Sequence, residues 1–231
     1  MMITLYDLAG AEAERRFSPF CWRTKMALAH KGLAVETVPW RFIDKDKLPS
    51  PNQGRVPVIR DGERVVHDSS AIADYLEEHY RDRPSLFGGE VGRGLARFVQ
   101  NWTETVLHIG LIRLVLLDIH RHLDPENQAY FRQDREKRFG MTLEEFVGDR
   151  AARLPAFRAS LDPLRRTVER QDFVSGKAPA YADYIVFGGF QWARAISDFE
   201  VLAPDDPIAA WRGRMLDLFE GFARRAPAYG G

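Results

Sequence analysis

The chain has 231 residues, enough for one large or two small domains with a buried core. Its 33 Lys and Arg balance 33 Asp and Glu, so charge gives no footprint for a nucleic-acid or anionic-membrane partner, and neither is expected. A single cysteine excludes an internal disulfide, which fits a reducing compartment.

The segment Met1 to Asp7 lacks the basic head and apolar core of an export signal, so a cytoplasmic location is expected. Ile3-Thr4-Leu5-Tyr6 alternates as a strand does and should end near Asp7 or Leu8. Ala9 to Phe17 reads as a loop, either covering a site below it or simply a solvated connection. Ser18 then offers an N-cap hydroxyl, and Pro19 suits the first helical position. His30 and Lys31 place positive charge on the last turn, and Gly32 suits a left-handed C-cap. Val35 to Val38 reads as a second strand, completing a βαβ unit with a right-handed crossover. The helix therefore opens at the carboxyl end of a strand, where free N–H groups and the dipole favour an anion. Ser18 and Cys21 sit on that first turn.

Arg41 to Arg55 is polar and aperiodic, with at most one helical turn. Arg55-Val56-Pro57-Val58-Ile59 reads as a strand, Asp61-Gly62 as a hairpin turn, and Arg64 to His67 as the returning strand. Asp68-Ser69 precedes a helical pattern at Ile72, Tyr75 and Leu76, with Asp68 or Ser69 as N-cap. Pro and Gly then cluster between Pro84 and Gly89, and everything beyond reads as helix.

The fold expected is α/β followed by all-α: a thioredoxin-like βαβ-ββα half over 1–81, a linker over 82–91, and a helical half over 92–231. Within that second half, one long helix is expected from Gly92 to His120, with Leu95, Phe98, Val99, Trp102 and Val106 on one side. Its apolar run, Val106 to Ile119, is short for a membrane span and carries His108 and Arg113, which predicts a buried helix. More helix is expected within Pro125–Phe146, over Leu154–Arg170, and over Trp211–Phe222. Ala182 to Ala193 is apolar nearly all round and predicts the centre of the second half.

Other patterns carry less. His120 and His122 lie two apart, on different faces of a helix, with no third ligand nearby, so no metal is expected. Gly88 to Gly94 is glycine-rich but lacks the Gly-Lys-Ser/Thr of a phosphate loop. The run Arg132 to Arg138 is interleaved with Asp134 and Glu136 and reads as a solvated face.

Three motifs occur in order: Ser18-Pro19-Phe20 opening a helix, Val56-Pro57 before a hairpin, and Asp68-Ser69 opening the next helix. With Arg23, Lys25, Ala27-Leu28 and Lys31-Gly32, this set resembles the glutathione transferases over nearly the whole chain. Trp22-Arg23-Thr24-Lys25, Tyr181-Ala182-Asp183-Tyr184 and Phe190-Gln191-Trp192 are similar to the bacterial lignin β-etherases and the fungal etherase-like class.

The resemblance implies glutathione as co-substrate, an apolar or aromatic small-molecule electrophile, and a homodimer. It implies that Ser18 donates to the glutathione sulfur, that a cis Val56-Pro57 leaves the Val56 backbone open to the cysteinyl part, and that Asp68 and Ser69 hold the γ-glutamyl end. Cys21 is the alternative nucleophile, for a thiol–disulfide reductase; in thioltransferase-like members the cysteine stands where Ser18 stands here. A binding module without turnover is the other alternative. Trp102, Thr105, His108, Ile109 and Ile112 mark the neighbourhood expected for the electrophile. One departure is Ala180, where the family's second half has a Ser or Thr capping hydroxyl; such a loss costs about 1 kcal/mol of stability.

Overall fold

The computed structural model describes residues 2–229. Strand β1 (Ile3–Leu8) lies inside a four-stranded mixed sheet of order β2-β1-β3-β4. It runs parallel to β2 (Val35–Trp40), with Ile3 opposite Val35, and antiparallel to β3 (Val58–Asp61), with Leu5 opposite Ile59. Helix α1 (Pro19–His30) is the crossover between β1 and β2. Ser18 caps it, its hydroxyl accepting from the Cys21 N–H at 3.2 Å, and Gly32 follows its end at φ +63°. Both end signals in the sequence thus act as expected.

The hairpin differs in detail. β3 begins at Val58 rather than Arg55, because the Val56–Pro57 peptide is cis and lies outside the ladder. Asp61 pairs with Arg64 of β4 (Arg64–His67), so the turn is Gly62-Glu63, one residue later than expected, with Gly62 at φ +59°. Helix α2 (Ser69–His79) follows, capped by Asp68. Arg41 to Arg55 holds one short 3₁₀ turn, Lys45–Lys47. This half is the expected thioredoxin-like arrangement.

The second half is helical. The single long helix expected over Gly92–His120 is three pieces: α3 (Glu90–Trp102), a π turn (Thr103–Leu107), and α4 (His108–Arg121). The wider turn rotates the residues after it relative to those before. Leu95 and Phe98, grouped in the sequence with the core-facing Val99 and Trp102, are instead 61% and 72% exposed. Further on lie α5 (Pro125–Phe139), α6 (Leu143–Val147), α7 (Arg150–Ser160) and α8 (Asp162–Val168). The helix expected over Leu154–Arg170 is therefore two, starting earlier and broken at Leu161 just before Pro163. The last helix, α10 (Pro207–Gly221), leaves helical backbone angles at Leu218.

Helix α9 (Tyr181–Ile196) is buried along most of its length and packs against α1. The contact needs a glycine. A Cβ on Gly188 would stand 2.4 Å from the Pro19 carbonyl oxygen, so no larger residue lets the backbones approach this closely. Asp183 anchors the start of α9. Its fully buried carboxylate accepts from the N–H groups of Val174 (2.7 Å), Ser175 (3.0 Å) and Ala180 (3.2 Å), and from Trp211 Nε1 (3.1 Å). The acidic half of a capping box thus survives without the hydroxyl that Ala180 lacks. Burial pushes the Asp183 pKa up, and the four donors work against that. Asp183→Ala should leave these buried donors without an acceptor. We expect a loss on the order of 3–5 kcal/mol, read as a lower urea midpoint with an unchanged slope.

Candidate functional site

The main cavity, about 830 Å³, opens between the sheet end of α1 and the helical half. Ser18 lies on its wall and is 3% exposed. A hydroxyl has one proton and two lone pairs. Ser18 accepts from the Cys21 N–H, and its side chain also hydrogen-bonds the Cys21 thiol, so a ligand atom entering the cavity competes for a rotatable hydroxyl. Ser18 sits at the positive end of a twelve-residue helix. Together these favour an anion, or an atom that becomes one, beside Ser18.

Val56, His108, Ile109 and Ile112 share the cavity wall with Ser18. The Val56 backbone makes no hydrogen bond among the described residues. Pro57 is buried behind it through the cis bond. Asp68 and Ser69 lie outside this wall. Asp68 is exposed at φ +73°, an uncommon backbone region for a residue with a side chain, and its carboxylate accepts from the N–H groups of Ser70 (2.9 Å) and Ala71 (3.1 Å). Ser69 is buried, and its carbonyl accepts from the Tyr181 hydroxyl at 2.7 Å, which ties the start of α2 to α9.

Trp102 and Thr105 do not reach the cavity. Trp102 packs against the core, and the exposed Thr105 donates to the Asn101 carbonyl at 2.6 Å. The π turn explains this, since it brings Glu104, rather than its neighbour Thr105, onto the wall. Glu104 accepts from the buried Arg23 guanidinium at 3.0 Å, leaving Arg23 Nε and Nη2 without partners among the described residues. Arg23 also stands over the Phe20 ring, 4.8 Å from its centre.

Cys21 is fully buried behind Ser18 and faces the Tyr6 carbonyl at 4.0 Å. Burial, with the Asp7 carboxylate beside it, pushes the thiol pKa far up. A protonated, enclosed thiol is a poor nucleophile. The Ala9–Phe17 loop is held to the rest of the chain along much of its length, and its last residue, Phe17, lines the cavity. It is pinned by Ala9 N–H to Trp40, Ala11 N–H to His122, and Arg15 to the Ala195 carbonyl. His120 and His122 turn to different neighbours, the Phe131 ring and the Tyr229 hydroxyl.

Much of the wall escaped sequence reading. Phe20 and Trp192 clasp the His108 ring edge-on, with centroids 5.5 and 5.9 Å away. Phe42 follows β2, and Phe131, Arg135 and Arg138 lie on α5. Arg135 and Arg138 belong to the run expected as a solvated face. They turn to the cavity because Phe131 fixes which side of α5 packs inward. Phe17 and Phe20 could have been suspected from flanking Ser18; nothing in the sequence marks the α5 side chains.

The profile of the glutathione S-transferase C-terminal domain matches residues 94–223, and that of the N-terminal domain matches residues 13–84. The chain belongs to the glutathione S-transferase family. Among curated relatives, glutathione S-transferase Z1 of Arabidopsis thaliana is 39% identical over 69 residues, 28% of this chain and 31% of that protein. Glutathione S-transferase U7 of the same plant is 24% identical over 171 residues, 73% of this chain and 63% of its own length. These matches therefore span less than two thirds of either relative. The crystal structure of GSTFuA2 from Phanerochaete chrysosporium superposes with a TM-score of 0.77 at 25% identity, covering 100% of both chains. A glutathione S-transferase of Ceriporiopsis subvermispora, solved in complex with glutathione, gives 0.75 at 24% identity, over 94% of this chain and 96% of that one.

His108 supplies a pH signature. Burial, and then the Arg23 charge, lower its pKa from 6.5 to about 3, and Nε2 is buried with no partner among the described residues. Between those values the unfolded chain binds more protons than the folded one, so stability falls as pH drops below 6.5. We expect His108→Gln to lose less unfolding free energy than the native protein between about pH 7 and about pH 4.5, measured by urea denaturation.

Proposed function

We propose that this chain is a cytoplasmic, serine-type glutathione transferase that lowers the pKa of the glutathione thiol and directs the thiolate at an electrophile in the main cavity. The observation that carries this reading is Ser18: a hydroxyl on the cavity wall at a helix N-terminus. Val56, with its unpaired backbone before the cis Pro57, would take the cysteinyl backbone as an added strand. Asp68 and the N–H groups around Ser69 would hold the amino-acid end. Residues 82–91 divide the thioredoxin-like half, 1–81, from the helical half, 92–231, in this reading. No helix among the described residues is long and apolar enough to cross a membrane.

In its sharpest form the reaction is cleavage of a β-aryl ether. The thiolate attacks the β-carbon, a carbon–sulfur bond forms, the carbon–oxygen bond breaks, and the phenolate leaves. Ser18 keeps its proton throughout, stabilising sulfur by hydrogen bonding. His108 stays neutral at ordinary pH and shapes the wall rather than delivering charge.

The thiolate's ultraviolet absorbance against pH tests the central step. The native protein should bring the pKa of bound glutathione below that of the free thiol, and Ser18→Ala should raise it. A charge-assisted hydrogen bond of about 1.5–3 kcal/mol corresponds to roughly a 10- to 100-fold loss in kcat/KM. Cys21→Ala should keep activity. Glutathione binding without any depression in either protein would instead favour a binding module, and loss of all turnover in Cys21→Ala would favour the disulfide reductase.

A homodimer is part of the proposal. Val91, Leu95 and Phe98 form a stripe along α3 and are 80%, 61% and 72% exposed. Phe98→Glu should shift the native mass to that of one chain in light scattering; a native protein already monomeric would refute this part.

A further inference from the structure

The cavity wall has an uneven chemistry. Around Ser18 it is ring-lined, and the one carboxylate near it, Glu104, already pairs with Arg23. A run of ring contacts leads away from there. Phe17 meets Phe42 at 6.4 Å between centroids, and Phe42 meets Phe131 at 5.5 Å. The Arg135 guanidinium lies 4.8 Å from the Phe131 ring centre.

Positions 131, 135 and 138 fall on one face of α5, so Arg138 continues this wall beyond Arg135. Arg138 makes no hydrogen bond or ion pair among the described residues. Lys45 adds a third cation to the wall, its amine 5.0 Å from the Tyr130 ring centre. Asp134, paired with Arg135, is the one carboxylate among these wall groups. Lys45, Arg135 and Arg138 against Asp134 leave two positive units beside these rings, and Arg55 is a further cation on the same cavity wall.

We propose that this part of the cavity recognises aromatic molecules bearing an anionic group, so that the second substrate is an aromatic electrophile with a carboxylate or sulfonate. The ring packs along Phe42 and Phe131, and the anion meets Arg138, with Arg135 held in place over Phe131. A guanidinium offers paired donors in one plane, which suits both oxyanions. The electrophile part rests on the transferase reading; the recognition part does not.

The test uses two fluorescent probes that share one aromatic frame, anilinonaphthalene sulfonate and neutral N-phenylnaphthylamine. Binding of each is measured to the native protein, Arg138→Gln and Arg135→Gln, with glutathione affinity measured alongside. The sulfonate should bind more tightly than the neutral probe and lose affinity with added salt. Arg138→Gln should weaken the sulfonate roughly fivefold and leave the neutral probe unchanged, as expected for a partly solvated ion pair. An unchanged affinity ratio in both variants would overturn the proposal, and so would weakening confined to glutathione.

Turnover separates the two readings. Conjugation of neutral chlorodinitrobenzene tests the transferase reading itself. Chlorodinitrobenzoate should exceed it in kcat/KM in the native protein, and the advantage should fall in Arg138→Gln. No turnover of either compound, with sulfonate preference intact, would sink the transferase reading and leave anion recognition standing.

Discussion

The site depends on how closely α9 lies on α1. Gly188 lets the α9 backbone come within a side chain's width of the Pro19 carbonyl, and a methyl group there would collide with it. Pro19 follows Ser18, so the contact fixes the first turn that presents the hydroxyl. Interiors are packed too tightly for such an overlap to be absorbed locally. The next residue, Gly189, is close to the His108 ring, where an added Cβ would lie 3.2 Å from Cδ2. Two consecutive glycines therefore set both the helix that carries Ser18 and the ring opposite it. Tyr181, one end of the same helix, reaches the Ser69 carbonyl and ties in the start of α2. One buried helix thus registers two separate pieces of the thioredoxin-like half.

Burial also decides between two reactive side chains only three residues apart. Ser18 and Cys21 share one turn, and the Cys21 N–H bonds the Ser18 hydroxyl. The helix projects them differently. Ser18 reaches the cavity, while Cys21 faces the sheet and the Asp7 carboxylate. Asp7 itself is held by Lys25 at 2.8 Å, and Lys25 stacks 3.6 Å from the Trp22 ring centre. A charge beneath the helix therefore opposes a thiolate at Cys21, while the helix end favours an anion beside Ser18. The same stretch of chain sets one group on the cavity wall and encloses the other.

What the sequence disclosed follows from the range of the interactions involved. The caps at Ser18, Asp68 and Gly32 are local, set by a few neighbouring residues, and they stand where the sequence puts them. The alternation of β1 and the apolar run of α9 are equally local and equally legible. The pocket wall is not local. Trp102 and Thr105 belong to the stretch that the sequence presents as one long helix, and one π turn between Thr103 and Leu107 is enough to change which residue faces the cavity. Leu95 and Phe98 have the spacing of a core stripe, yet only the folded chain reveals that they stay exposed among the described residues. Arg135 and Arg138 look like ordinary solvated charges because their interleaved acids share the run; the packing of Phe131 sets Asp134, Arg135 and Arg138 on the cavity side and Arg132 with Glu136 away from it.

That sorting bears on why the cavity is not simply greasy. Arg132, on the same helix, spends its charge on Glu136 and Glu144, which lock α5 to α6. Arg135 pairs with its neighbour and covers Phe131. Arg138 has neither use. A protein that needed only solubility on this helix would gain as much from a cation on its outer face, where water solvates it fully. Arg138 is exposed yet lies on the wall of a ring-lined cavity, so its charge is within reach of whatever enters. A neutral aromatic molecule gains little from that charge. An aromatic anion gains both the ring contacts and the charge, so shape and electrostatics point to the same class of guest.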